Sequence, residues 1–375
     1  MARVRHDEPV EPDEPKPRRA RAGSSSAALV EPRAAEEDQA NYALRPRSFA
    51  EYIGQRPLLE KLEIYVRAAT ERGEPLDHVL LHGPPGLGKT TLAQIIANEM
   101  EVRLHVSSGP AIEHKGVLAG LLTGLGEREI LFIDEIHRLS PTVEESLYSA
   151  MEDRRIDIPI GEGSSAITHS ISLAGFTLIG ATTRTAMLSA PLRDRFHIVE
   201  GLAFYSDDEL AAIVERSAAM LGLPASEAGA LEIGRRSRGT PRIANRLTRR
   251  VRDFSQVHGH REISREDAAR FLAILEVDEQ GLNANDRRIL EVLFDLFEGG
   301  PVGVDALAAS LGIPRDTIED VHEPFLLQRG FLVRTPRGRM TTERAAKHMQ
   351  RSDPHARARR RARGGDDDDD QSTLF

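Results

Sequence analysis

The chain has 375 residues, a formal net charge of -9 and 29% charged residues, so it is long enough for two or three domains with cores of their own. The overall charge excludes a uniformly basic nucleic-acid coat, although acid and base segregated along the chain would still leave local basic surfaces. With no cysteine and no tryptophan it has neither a disulfide framework nor a cysteine-ligated metal site.

Residues 1–17 alternate charges with prolines and lack an apolar h-region, and no later run nears the roughly 20 apolar residues of a membrane span, so a soluble, cytoplasmic protein is expected. Residues 1–40 carry almost no large apolar side chain and cannot bury enough surface to offset their ordering entropy, which predicts a disordered extension. Order is expected from Tyr42-Ala43-Leu44-Arg45-Pro46 onward. Leu58, Leu59, Leu62, Tyr65 and Val66 then recur at helical spacing.

The apolar run Val79-Leu80-Leu81 leads into Gly83-Pro84-Pro85-Gly86-Leu87-Gly88-Lys89-Thr90 and out into Thr91-Leu92-Ala93-Gln94-Ile95-Ile96. Strand, glycine loop and helix in this order match the P-loop G-x-x-x-x-G-K-[ST], whose backbone N–H groups curl around a polyphosphate. Lys89 would neutralise the β- and γ-phosphates, and the Thr90 hydroxyl would ligate Mg²⁺. A second strand is expected over residues 102–106. The run Ile130-Leu131-Phe132-Ile133-Asp134-Glu135 is continuously apolar, as a parallel strand covered on both faces requires, and ends in two carboxylates. That is a Walker B pattern, with Asp134 placed to hold Mg²⁺ through water and Glu135 to act as base for the attacking water.

Residues 156–160 and 167–173 alternate with period two around Gly161-Glu162-Gly163-Ser164-Ser165, which predicts a hairpin that either docks a partner or packs on its own domain. Phe176-Thr177-Leu178-Ile179-Gly180 is a further buried strand. At its end Thr183 is either a γ-phosphate sensor or a plain turn residue. In Pro191-Leu192-Arg193-Asp194-Arg195-Phe196 the arginines are either solvated or supply an arginine finger to a neighbouring subunit, and the spacing does not choose.

After Phe204-Tyr205 the pattern is helical over 209–221 and 230–236. A helix then starts at Thr240 as N-cap and Pro241 as first residue, with Ile243, Leu247, Val251 and Phe254 on one face. Arg242 lies in its first turn, an unfavourable place for a cation, and an anionic ligand would relieve this. From about Glu279 three helices are expected: 287–297, 304–311 closed by Gly312, and 316–327 interrupted at Pro324. The stretch Phe331 through Met340 reads as strand, turn, strand. Three helices and a hairpin make a winged helix, and Arg334, Arg337 and Arg339 on the wing have no acid between them in sequence, which suits phosphate contacts. Beyond Ala346 an arginine-rich run gives way to Asp366 to Asp370, a disordered tail.

Walker A, Walker B, an Ala181-Thr182-Thr183-Arg184 strand end, Arg195, a Gly239-Thr240-Pro241-Arg242 helix start and a winged helix, in this order, resemble the AAA+ ATPases. More narrowly, Leu131 to Leu139, Ala150 to Asp153, Arg236 to Arg246 and Arg334 to Arg339 resemble the RuvB family of Holliday junction branch-migration motors, over about 42–349. The resemblance implies an α/β fold: an AAA+ P-loop NTPase domain with a parallel sheet (41–205), a small helical lid domain (206–278) and a C-terminal winged-helix domain (279–348). It implies ATP and Mg as cofactors. Leu44, Arg45, Gly86, Lys89, Thr90, Thr91 and Tyr205 would line the nucleotide. Glu152, Asp153 and Arg154 would belong to the same site, Thr183 would be sensor 1, Arg195 the finger, Arg242 sensor 2, and Arg334 and Arg339 the DNA contacts. The hairpin would dock on RuvA, RuvC would cut the junction, and the family works as a homohexamer around duplex DNA. The chain departs from the family pattern at His197, where glycine is usual, and at Val117, where aspartate is common. An AAA+ loading or recruiting switch on DNA and a protein-remodelling ATPase are the rival functions.

Overall fold

The computed structural model describes residues 43–160, 167–352 and 354. The expected N-terminal extension, most of the expected tail and the connection 161–166 of the expected hairpin lie outside the described residues.

Five parallel strands, β1 (Val79–His82), β2 (Leu104–Ser108), β3 (Ile130–Asp134), β6 (Thr177–Thr182) and β7 (Ile198–Gly201), form one sheet in the order β2-β3-β6-β1-β7. The apolar runs of β1, β3 and β6 are buried because the sheet is covered on both faces. Along β3, Ile130 and Phe132 face a core shared with helix α1 (Arg56–Arg72) and α2 (Lys89–Glu99), whereas Leu131 and Ile133 face one shared with α3 (Lys115–Thr123) and α4 (Pro141–Asp153). Period-two alternation between two cores explains why no polar residue interrupts the strand. In α1 the expected stripe buries Leu58, Leu59, Leu62 and Val66, while Tyr65 faces solvent.

The hairpin forms as β4 (Arg155–Ile160) and β5 (Ile167–Ser172), a separate antiparallel pair with Ile156 opposite Ile171. Ile156 is buried in the α3/α4 core, and Ile171 is exposed. A short helix α5 (Ala190–Arg193) precedes the edge strand β7.

Four helices follow: α6 (Asp207–Met220), α7 (Glu227–Arg235), α8 (Pro241–Val257) and α9 (Arg265–Ile274). Ser206 and Glu209 close a capping box at the start of α6. Leu210, Ile233, Leu247 and Leu272, one from each helix, pack into the same core as α1 and β1. Thr240 is the N-cap residue of α8, yet its hydroxyl donates to Ser237 O at 3.4 Å and makes no cap bond.

The last unit has its own core around Leu290, Leu307, Phe325 and Phe331. It contains α10 (Ala284–Phe297), α11 (Val304–Leu311), a third helix over 315–328, the hairpin β8 (Leu332–Thr335) and β9 (Gly338–Thr341), and α14 (Glu343–His348). The expected interruption near Pro324 takes the form of a π-turn just ahead of it. The third helix runs as α12 (Arg315–Thr317), a π-turn over Ile318–His322 and α13 (Glu323–Gln328), so Pro324 falls in the first turn of a restarted helix, where its missing N–H costs nothing. Val302 forms a single antiparallel bridge with Arg339 on the open edge of β9.

Candidate functional site

The carboxyl ends of β1, β3 and β6 lie side by side at one edge of the sheet: His82 is in register with Thr182, and Ile133 with Gly180. Ligands of open α/β sheets sit at this edge. The loop after β1 needs glycine for two reasons. Gly86 and Gly88 have φ of +80° and +102°, and a Cβ on Gly88 would lie 2.7 Å from the Tyr52 hydroxyl. Gly88 is the N-cap of α2 and offers no side-chain cap, so the first N–H groups of that helix point into the loop without a capping side chain. Lys89 folds back over the loop, donating to Gly83 O at 2.8 Å and Pro84 O at 2.9 Å. Burial lowers its pKa to about 8, partly opposed by the nearby Asp134. A desolvated ammonium beside bare helix amides is a cradle suited to a polyphosphate. Thr90 is half-buried and Thr91 buried in the same turn.

Asp134 ends β3, and its Oδ1 accepts the Glu135 N–H at 2.9 Å. Glu135 takes a left-handed conformation, φ +48°, and its carboxylate accepts from Arg138 at 3.0 Å. A non-glycine residue held there is strained, as functional residues at strand ends often are. Thr183 is half-buried just beyond β6. Beside it, the Thr182 hydroxyl accepts the Arg184 N–H and lies 3.0 Å from His137 Nδ1, which ties the turn after β3 to the end of β6. Among the described residues no cluster of three or more His, Asp or Glu suits a resident metal ion.

Arg242 comes up against the loop from the first turn of α8: its backbone N–H donates to Gly86 O at 3.4 Å, and its Cβ would be 3.2 Å from a Cβ on Gly86. Tyr205 is buried beneath the loop, its hydroxyl donating to Tyr52 at 2.9 Å and approaching Leu87 O at 3.3 Å. Burial pushes both phenols up, Tyr52 to about 12, so neither ionises near neutrality. Tyr52 is a support that sequence reasoning missed, since nothing in a lone tyrosine before a helix signals contact with a loop 35 residues on. Leu44 is buried, with its carbonyl accepting from Arg216 at 2.8 Å, and Arg45 is half-buried beside it.

Arg195 belongs to a different surface. It pairs with Glu152 at 3.1 Å, stacks over Tyr148 at 4.5 Å and donates to Pro191 O at 2.7 Å. Asp153 pairs with Arg155, and Arg154 is the left-handed C-cap of α4. Arg195 and Glu152 thus meet where α4 meets α5, with partners from that surface rather than from the P-loop, whereas Arg154 lies beside Gly175 and its carbonyl accepts the Leu173 N–H.

On the wing, Arg337 is exposed in the turn, Arg334 donates to Glu323 at 3.0 Å, and Arg339 holds both Glu323 at 3.0 Å and Glu319 at 3.1 Å. The wing has no acid of its own, but the third helix supplies two. Glu323 is buried and Arg339 only 12% exposed, so this arginine starts out committed to the protein.

A parallel sheet in this order, with a helical unit bringing an arginine down onto the P-loop, is the architecture of the AAA+ class of P-loop nucleoside triphosphatases, and the chain is one of them. Three family models match consecutive segments: the Holliday junction DNA helicase RuvB P-loop domain over 44–202, the RuvB AAA lid domain over 205–278 and the RuvB C-terminal winged helix domain over 279–350. The chain belongs to the RuvB family. It is 59% identical over 312 residues to the Holliday junction branch migration complex subunit RuvB of Myxococcus xanthus, covering 83% of this chain and 91% of that one. It is 57% identical over 321 residues to the subunit of the same name from Anaeromyxobacter, covering 86% and 94%. Among solved structures, the Thermotoga maritima RuvB Holliday junction branch migration motor superposes with a TM-score of 0.77 at 49% identity, covering 83% of this chain and 99% of that one.

Proposed function

We propose that the chain is the ATP-driven motor subunit of a Holliday junction branch-migration complex, forming homohexameric rings on duplex DNA in the cytoplasm and working with RuvA and RuvC. The observation that carries this reading is the meeting of Lys89, Asp134 and Arg242 around one glycine loop, in a chain that also bears a winged helix with an arginine-tipped hairpin.

ATP is the substrate. Its phosphates would lie in the loop Gly83 to Gly88 against the N–H groups of α2, with Leu44, Arg45, Thr91 and Tyr205 shaping the rest of the pocket. Mg²⁺, held by the Thr90 hydroxyl and through water by Asp134, would neutralise charge on the β- and γ-oxygens. Lys89 leaves the carbonyls of Gly83 and Pro84 for the phosphates. Glu135 takes the proton of the attacking water, Thr183 hydrogen-bonds the γ-phosphate, and Arg242 binds it from the lid side. Arg195, with Glu152, Asp153 and Arg154, faces the nucleotide of the neighbouring subunit, which suits its place on a surface apart from its own P-loop. Arg334 and Arg339 bind the duplex backbone, Arg339 exchanging Glu323 for phosphate. The β4/β5 hairpin, with Ile171 exposed, is the RuvA contact.

Hydrolysis and strand exchange measured together on a synthetic four-way junction, with and without RuvA, test this. A branch-migration motor converts the junction to duplexes and needs RuvA for efficiency. Stimulation of hydrolysis by DNA without exchange would instead mark a loader, and indifference to DNA a protein remodeller.

A further inference from the structure

The winged helix is fastened to the rest of the chain in two ways that differ in strength. Towards the lid, Arg238 pairs with Asp286 at 3.0 Å with the two side chains 8% and 0% exposed, and donates to Val321 O at 3.0 Å. Asp286 also receives His322 at 2.7 Å, and Arg329 reaches back to Asp207 and to Arg235 O. A buried pair resists opening because separating it strands a desolvated charge. Towards the sheet, by contrast, Arg184 binds Asp320 at 2.7 Å and Asp316 at 3.0 Å, with the side chains 26%, 32% and 76% exposed. Asp320 is held by a two-pronged fork, yet with these side chains partly in water the bonds can be exchanged for hydration at a lower cost than the buried Arg238–Asp286 pair.

Arg184 follows Thr183 directly, and its backbone N–H is held by the Thr182 hydroxyl that also meets His137, two residues after Glu135. Its two acceptors stand on the third helix of the winged unit, one before and one within the π-turn. Glu319 and Glu323 of the same helix hold the wing arginines. One helix therefore touches the nucleotide edge of the sheet through one pair of carboxylates and the wing through another.

We propose that Arg184 is a positioning latch: it couples the end of β6 to the winged helix, opening and closing with the nucleotide state while lid and winged helix move as one body. In its coupling to work on DNA the latch rests on the motor reading above. In its mechanics it does not.

The absence of cysteine makes the test direct. Glu60→Cys on α1 with Leu296→Cys on α10 places spin labels on the large domain and the winged helix. Met220→Cys with Leu296→Cys places them on the lid and the winged helix. Each labelled full-length chain is diluted into unlabelled chain, and distances are read by pulsed electron resonance without nucleotide, with ADP and with a non-hydrolysable ATP analogue.

The first pair should change its distribution between ADP and the analogue, the second should not, and Arg184→Ala should broaden the first pair alone and erase its nucleotide response. Arg184→Asp combined with Asp320→Arg should restore the narrow distribution, a rescue that general destabilisation would not give. Strand exchange per ATP hydrolysed should fall by roughly fivefold or more in Arg184→Ala, with hydrolysis in the absence of DNA retained. An unchanged first-pair distribution in Arg184→Ala, or undiminished exchange per ATP, overturns the proposal. Failure of the unsubstituted chain to move junctions would instead sink the motor reading, and the distance measurements would still decide the latch.

Discussion

Glu135 and Arg195 lie on two surfaces, and the proposed division of the chemistry between them gives a separable prediction for each. Glu135→Gln keeps the shape and the contact with Arg138 but removes the proposed base. ATP binding should persist while turnover falls by roughly 10²- to 10⁴-fold, read from nucleotide titration beside steady-state hydrolysis. Arg195 is held by Glu152 and Tyr148 away from its own P-loop, so Arg195→Ala should lose hydrolysis alone and regain part of it when mixed with Lys89→Ala chains. Absence of any complementation would place the finger elsewhere. The loop and the acidic pair after β3 were legible in the sequence because their chemistry is written in consecutive residues. The partners of the wing arginines were not, because Glu319 and Glu323 meet Arg339 across 20 and 16 residues. The wing residues should consequently behave differently: Arg337→Ala should weaken duplex binding and reduce the salt slope by about 1 without changing the thermal midpoint. Arg339→Ala should also destabilise the domain by roughly 1–3 kcal/mol, since it leaves the buried Glu323 with only its bond from the exposed Arg334.

Elements are joined by side chains that the periodicity of the sequence does not report. His78, just before β1, accepts the Leu178 N–H of β6 at Nδ1 and approaches Met151 O of α4 through Nε2, which fixes the tautomer with its proton on Nε2. Burial, with smaller contributions from His197 and Arg154, lowers its pKa from 6.5 to about 4 against the opposing pull of Met151 O and Asp77. Between those values the unfolded chain binds the extra proton, so stability should rise with pH from 4 to 6.5 and be lost as pH falls. Thermal midpoints across that window should show a contribution on the order of 3 kcal/mol that His78→Gln removes. At this scale the sequence reading succeeded where an element is long or fully buried, as with α1, β3 and α8. It passed over β7, four residues on a half-exposed edge, and α3, whose period is diluted by Gly116 and Gly120. The break expected at Pro324 is a π-turn that ends two residues before it, after which the helix restarts.

In the whole molecule the lid shares one continuous core with the sheet, whereas the winged helix keeps its own and is joined through charged side chains. The large-scale order of strand, lid and wing was legible because each unit has its own hydrophobic pattern. How the last unit is fastened was not, because the fastening is made of arginines and aspartates that read in sequence as ordinary surface. The central claim is that hydrolysis at the P-loop performs work on crossed DNA. It is tested most directly by following a labelled four-way junction into duplex products with RuvA, Mg²⁺ and either ATP or its non-hydrolysable analogue. Products that appear with ATP and the unsubstituted chain, and not with the analogue or with Glu135→Gln, are the predicted result. Equal yields with the analogue, or none with ATP while hydrolysis proceeds, would contradict the account.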